Sequence, residues 1–196
     1  MDSDNIEKRS DSIRHFRQAQ SKPYFFDQTD EFVNYWFKLP KRGLVPERKS
    51  VEPRDMLGLL PDIIILEAGE NSSDYRIRLI GTRNVERWGF ESTRTNYLNY
   101  ATPQRQSMLS ELFGQVNKHP CGLILTGDEL YTSGRVVRNE MILMPVQAVS
   151  HGQGMLLGTI TADPGNNIDY GSDTLATVFY SITSSRFINI GAGVPD

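Results

Sequence analysis

The sequence predicts an α+β fold in which helices cover one antiparallel sheet. Three observations support this prediction. Five segments have the β-branched or alternating apolar pattern of strands, helical segments separate the second strand from the third, and polar turns too short for parallel pairing join the last three strands. Because such a sheet must bury its apolar face, we expect the intervening helices to cover it.

The first elements are an aromatic helix and a hairpin. The helix is predicted over residues 29–39, where four apolar side chains recur at helical spacing: Phe32, Val33, Trp36 and Phe37. A proline-rich connection follows and carries one short helix over 54–60. Strands over 63–66 and 75–80 then flank a polar turn at 69–73, which predicts a hairpin.

Two helices and three strands complete the predicted core. A short helix over 82–88 ends at Gly89, and a longer helix over 103–117 carries a clear apolar stripe. The strands are predicted over 121–131, 135–149 and 154–162.

A last helix is predicted over 173–184, because four apolar side chains recur there at helical spacing: Leu175, Val178, Phe179 and Ile182. The chain therefore divides into a polar arm, a flanking helix with its connection, a five-stranded core, and a C-terminal helix with its tail. The corresponding ranges are 1–28, 29–61, 62–163 and 164–196.

The composition argues against a nucleic-acid partner and a membrane partner. The 196 residues carry 21 basic and 24 acidic side chains, for a formal charge of −3 and no concentrated basic block, so we expect no nucleic-acid partner. No stretch approaches the roughly 20 apolar residues of a membrane span, so we expect no membrane partner. The single cysteine, Cys121, cannot form an internal disulfide, which fits a cytoplasmic protein.

No pattern of catalytic or metal-binding residues stands out. The histidines, at 15, 119 and 151, lack metal-ligand spacing, and Cys121 lacks an orienting base. Asp128 and Glu129 are adjacent on a predicted strand, so they point to opposite faces and cannot act as an acid and base pair. We therefore predict no catalytic residue and no metal ligand, and the sequence names no cofactor.

Short motifs along the chain resemble a bacterial PAS-like domain family of uncharacterised proteins, found mainly in alphaproteobacteria. They cover residues 32 to 193 and lie in the order Trp36, Pro46-Glu47-Arg48, Pro53, Leu60-Pro61-Asp62-Ile63, the strand 75–82 ending in Gly81-Thr82, Gly89, Glu91-Ser92-Thr93, Glu140, Leu143-Met144-Pro145 and Ile190-Gly191-Ala192-Gly193. One position departs from the pattern. Arg94 stands where the family has a glycine, which would permit a positive φ, so the shape of this loop is left open.

The resemblance implies a PAS-like five-stranded sheet with flanking N-terminal and C-terminal helices, acting as a noncatalytic sensory or regulatory module. A small ligand would lie between sheet and helices, where the candidate lining residues are Tyr75, Ile77, Leu79, Trp88, Phe90, Tyr97, Leu123, Leu125, Met141 and Leu143. Ordinary core packing is the alternative role of these side chains.

Two further expectations concern charge and assembly. Arg76 and Arg78 share one face of a predicted strand, and with Arg48 they would form an anion site or an ion-pair lattice with Glu67 and Glu140. The aromatic helix would cap its own sheet, pair with a second copy, or do both, since Tyr35 and Trp36 face different directions on it, and we expect a homodimer through the flanking helices. The signal would pass to a separate protein.

Two alternatives to a sensor are kept. One is a small hydrolase-like enzyme that uses Tyr75, Arg78 and His119, and the other is a purely structural dimerisation domain.

Overall fold

Six strands form one antiparallel sheet in the residues that the structure, a computed structural model, describes, which are 26–147, 154–163 and 173–195. The strands are β1 (Ile63–Ala68), β2 (Tyr75–Ile80), β3 (Cys121–Tyr131), β4 (Val136–Val146), β5 (Met155–Ala162) and β6 (Leu175–Asn189). They lie in the order β2-β1-β5-β4-β3-β6. This confirms the predicted α+β class and adds a sixth strand. The predicted polar arm lies outside the described residues up to position 25.

In the part of the chain that the structure describes, three α-helices accompany the sheet: α1 (Asp27–Lys38), α2 (Thr82–Trp88) and α3 (Pro103–Lys118). The short helix predicted over 54–60 is instead two single 3-10 turns, Pro53–Met56 and Leu60–Asp62, because Gly58 inside the predicted run and Pro61 directly after it both disfavour a continuous α-helix. In the described ranges no helix is both long and apolar enough to cross a membrane.

Helix α1 covers one face of the sheet with its aromatic side chains. Phe32, Trp36 and Phe37 are at most 3% exposed and pack with Ile142 and Leu157 of the central strands. The Trp36 indole N–H also donates a hydrogen bond to the Pro145 carbonyl on β4, at 3.1 Å. Of the two expected roles of this helix, capping its own sheet is therefore the one that the structure shows.

The opposite face of the sheet carries a second core. Helices α2 and α3 and the 3-10 turn Tyr97–Tyr100 contribute its helical side, where Leu109, Phe113 and Val116 of α3 are fully buried. The sheet is thus apolar on both faces, and the strands that lie between its two edges read as almost continuous buried runs.

The helix predicted over 173–184 is wrong, because these residues form most of β6. The strand pairs with β3 along most of its length, and bulges interrupt the register at three points. At one of them Phe179 has a φ of 45°, which breaks the alternation so that Val178 and Phe179 are both buried. A strand that contains bulges can therefore bury apolar side chains that lie three and four positions apart, although this spacing is typical of a helix.

Gly127 of β3 makes the close approach of β6 possible. A Cβ atom at this position would collide with the Ser181 carbonyl oxygen and with the Phe179 ring. A glycine in mid-strand is thus required where the bulged strand packs against its neighbour.

Candidate functional site

The core beneath α2 and α3 contains most of the predicted ligand-binding residues. Those that lie in it at 3% exposure or less are Tyr75, Ile77, Trp88, Tyr97, Leu123, Leu125, Met141 and Leu143, and Phe90 is partly buried against them. The structure therefore brings these side chains together on one face of the sheet. Their role in binding a ligand stays a prediction.

Leu79 is the exception, because it is 41% exposed and outside this core. Leu66 of β1 pairs with Ile77 and Ile65 pairs with Leu79, so Arg78 is an extra residue in a β-bulge. The bulge reverses the alternation after Ile77 and turns Ile80 inward in place of Leu79. The expectation that Leu79 shares a face with Tyr75 and Ile77 is wrong for this reason.

Aromatic rings form the helical wall of this core. The Trp88 ring lies 6.2 Å from Tyr97, 5.9 Å from Tyr100 and 6.3 Å from Phe90, measured between ring centroids. The ring centroids of Tyr97 and Phe113 are also close, at 5.9 Å. Trp88 comes from α2, Phe90 from the loop after it, Tyr97 and Tyr100 from the 3-10 turn, and Phe113 from α3, so the packing of these rings holds separate segments together.

A buried polar network, centred on the Glu129 carboxylate of β3, lies in the same core. Arg87 of α2 donates two hydrogen bonds to it, from Nε at 3.0 Å and from Nη2 at 3.1 Å. The Trp88 indole N–H and the Tyr131 hydroxyl donate two more, at 3.0 and 2.9 Å. Arg87 and Glu129 are at most 1% exposed, so this is a bidentate ion pair inside the protein.

The network perturbs the titration of the groups that form or surround it. Burial opposes the charge on Arg87, but attraction to Glu129 outweighs it and raises the pKa of the guanidinium. Burial and the negative charge of Glu129 both raise the pKa of Tyr131 and of Tyr97. Both phenols are therefore neutral at physiological pH.

Two buried side chains, one in the network and one near it, have polar atoms without a hydrogen-bond partner in the described part of the chain. They are Nη1 of Arg87 and both side-chain amide atoms of Asn139, a residue of β4 that is 1% exposed. Buried polar atoms are nearly always paired, so each of these exceptions calls for an explanation.

The sequence did not single out Arg87 or Glu129, although one signal for Glu129 was present. Strand alternation places Glu129 on the same face as Leu125 and Tyr131, and the structure confirms that Asp128 and Glu129 point to opposite faces. A carboxylate among buried strand positions requires a buried cation. Nothing local marks Arg87 as that cation, because the two residues are 42 positions apart.

The predicted anion site is not assembled. Arg76 and Arg78 are exposed, and Arg48 donates to the Val51 carbonyl at 3.4 Å. Glu140 is buried on the α1 face, where it accepts a hydrogen bond from the Thr29 hydroxyl at 2.6 Å. In the described ranges no ion pair joins any two of these four residues, although register places Arg76 opposite Glu67.

The groups considered for catalysis are also dispersed or inert. Tyr75 is buried whereas Arg78 is exposed, and the structure describes no hydrogen bond between either of them and His119. Cys121 is fully buried, and burial raises the pKa of its thiol to about 11. Among the described residues no group of three or more His, Cys, Asp or Glu side chains could hold a metal ion.

Arg94 adopts the backbone conformation that its loop requires. Its φ is 72°, in the left-handed region, and its backbone N–H donates to the Ile77 carbonyl at 2.7 Å. The loop thus has at Arg94 a turn conformation that glycine forms readily. The left-handed conformation costs a residue with a Cβ atom roughly 1 to 2 kcal/mol.

We expect Arg94→Gly to raise the free energy of unfolding by about 0.5 to 1 kcal/mol, because the gain in the folded loop exceeds the added freedom of the unfolded chain. Urea denaturation measures the difference. Arg94→Ala is the control, since it removes the guanidinium but keeps the Cβ atom, and it should change stability by less than about 0.5 kcal/mol. Equal gains from both variants would assign the effect to the charge instead of the backbone.

Comparison with known proteins places this architecture in a family. A family model described as a PAS domain matches residues 25–161, which span α1 and β1 to β5 and include both partners of the buried ion pair. No curated protein matches the chain. With more than half of its residues matched to the model, the chain belongs to the PAS domain family.

Proposed function

We propose that this protein is a noncatalytic sensory or regulatory module that binds a small molecule in the core beneath α2 and α3. Membership of the PAS domain family supports the sensory or regulatory role. The ligand site is proposed from one observation, the polar network around Glu129 within a core of aromatic rings. A core that only needed to be filled would be at least as stable without a buried ion pair.

The network offers a direct route from a ligand to the rest of the domain. Arg87 and Trp88 lie on α2, while Glu129 and Tyr131 lie on β3, next to the edge strand β6. A molecule that binds beside Arg87 would therefore shift α2 relative to the sheet. A separate signalling protein, which is the partner that we propose for this domain, would respond to that change.

Native mass spectrometry of the purified protein tests the ligand proposal. We expect a retained small molecule, or a rise in thermal midpoint with some members of a metabolite panel, without turnover of any of them. The same spectra report the oligomeric state. Turnover of a panel member would contradict a noncatalytic role, and the lack of both retained mass and thermal shift would contradict ligand binding.

The homodimer also remains a proposal, and the packing of α1 restricts how it could form. The aromatic face of α1 covers the sheet of its own domain, so a dimer through this helix would use its exposed polar face, which includes Asp27, Glu31 and Lys38. Analytical ultracentrifugation at micromolar concentration tests this point. A single monomeric species would contradict the dimer without affecting the ligand proposal.

A further inference from the structure

The position of Asn139 suits it to recognise the hydrogen-bonding groups of a ligand. It lies on the central strand β4, where its neighbours in register are Gly127 on β3 and Ala162 on β5. Val137 and Met141, two positions away on either side, belong to the core beneath α2 and α3, so the Asn139 carboxamide faces the same core. The amide donor and the amide acceptor are both buried and unpartnered in the described chain.

Arg87, whose Nη1 is unpartnered in the described chain, is connected to the same part of the core through Glu129. Glu129 pairs with Val137, so it is one diagonal step from Asn139 across the β3–β4 ladder. The Tyr97 hydroxyl is close enough to the ion pair for both of its charges to influence that hydroxyl. Two side chains with unused hydrogen-bonding atoms thus belong to neighbouring parts of one core.

The ion pair determines the charge that this region accepts. Glu129 already neutralises Arg87, so an anionic ligand would add an uncompensated charge to the core, which is costly. An uncharged ligand avoids that cost. Nη1 of Arg87 offers donors only, whereas the Asn139 carboxamide offers one acceptor and two donor hydrogens, a pattern that a second amide complements.

In a step that rests on the function proposed above, we infer that the ligand is an uncharged planar molecule with an amide or lactam edge. That edge pairs with the Asn139 carboxamide, and its carbonyl oxygen accepts a hydrogen bond from Nη1 of Arg87. The rings of Trp88 and Tyr97, whose centroids are 6.2 Å apart, together form the wall against which one flat face of the ligand packs.

Matched pairs of probes that differ in charge test the inference. Benzamide and benzoate have nearly the same shape, as do nicotinamide and nicotinate, but at pH 7 only the amides are uncharged. We expect the amides to raise the thermal midpoint of the protein in a concentration-dependent manner and the carboxylates to leave it unchanged. Isothermal titration calorimetry then measures the affinity of the amides.

A pair of variants separates a binding role of Asn139 from a structural one. Asn139→Val removes two unpartnered polar atoms, so the free protein should gain about 2 to 4 °C in thermal midpoint while amide affinity falls at least tenfold. Thr159→Val is the control, because Thr159 is also fully buried with an unpartnered hydroxyl in the described chain but faces the α1 side of the sheet. It should gain similar stability and keep the affinity.

The outcomes distinguish this inference from the proposed function. A lower thermal midpoint of Asn139→Val would show that its amide is satisfied structurally, for example by a water molecule, and would overturn the inference. Stabilisation by the carboxylates, or an anion retained in native mass spectra, would also overturn it but leave the sensor proposal standing. If no panel member shifts the midpoint and no molecule is retained, the function and the inference both fail.

Discussion

Replacing Arg87 by methionine should lower the free energy of unfolding by about 3 to 5 kcal/mol. Methionine fills a similar length of space but leaves the Glu129 carboxylate buried without a cation, with only Trp88 and Tyr131 as donors. Burying an unpaired charge is among the most destabilising changes a core can undergo. Equilibrium unfolding in urea, followed by circular dichroism, measures the loss.

The double variant Arg87→Met/Glu129→Gln should lose less stability than Arg87→Met alone. Glutamine is neutral and still accepts hydrogen bonds, so the second substitution removes the charge that the first one left unpaired. Arg138→Met is the matched control, because it removes an arginine from Asp128 at 3.4 Å where the arginine is half exposed. It should cost at most about 1 kcal/mol, and an equal loss in both single variants would contradict the importance of burial.

Phe179→Ala should lower the free energy of unfolding by about 3 to 5 kcal/mol. Phe179 is fully buried, and its ring fills the space that Gly127 of β3 leaves open. Alanine would leave a cavity between β6 and the core while the left-handed backbone, with a φ of 45°, would remain strained. The midpoint and slope of urea unfolding give the loss and show whether β6 still unfolds with the rest of the domain.

Tyr180→Ala is the neighbouring control for β6. Tyr180 is 53% exposed, so its removal should change stability by no more than about 0.5 kcal/mol. Comparable losses at positions 179 and 180 would contradict the burial of the Phe179 ring against Gly127.

Much of the fold was predictable because local pattern and tertiary packing agree. β1, β3 and β5 are runs of apolar and β-branched residues, and α3 carries an apolar stripe that faces the sheet. Turn length then requires antiparallel pairing of neighbouring strands. The same agreement places Tyr75, Ile77 and Trp88 in one core, as predicted.

The site was only partly predictable, since its polar residues depend on contacts between distant positions. Glu129 was discounted as half of a catalytic pair, and its actual partner lies on a helix 42 positions earlier in the chain. Leu79 was misplaced because a bulge at Arg78 changes which side chains face inward. The apolar periodicity of so short a strand does not reveal a bulge.

By itself, the sequence determined the α+β class, the covering helices and the apolar composition of the core, because these follow from periodicities of two and about 3.6 residues within single segments. Tertiary structure alone decided that the segment from Leu175 to Asn189 is a strand, since its apolar spacing suits a helix equally well. The unpaired edge of β3 supplies backbone hydrogen bonds to that segment, and Gly127 allows its bulge to pack closely. The paired residues of β3 and β6 are 44 to 68 positions apart in the chain, so no local pattern reveals them.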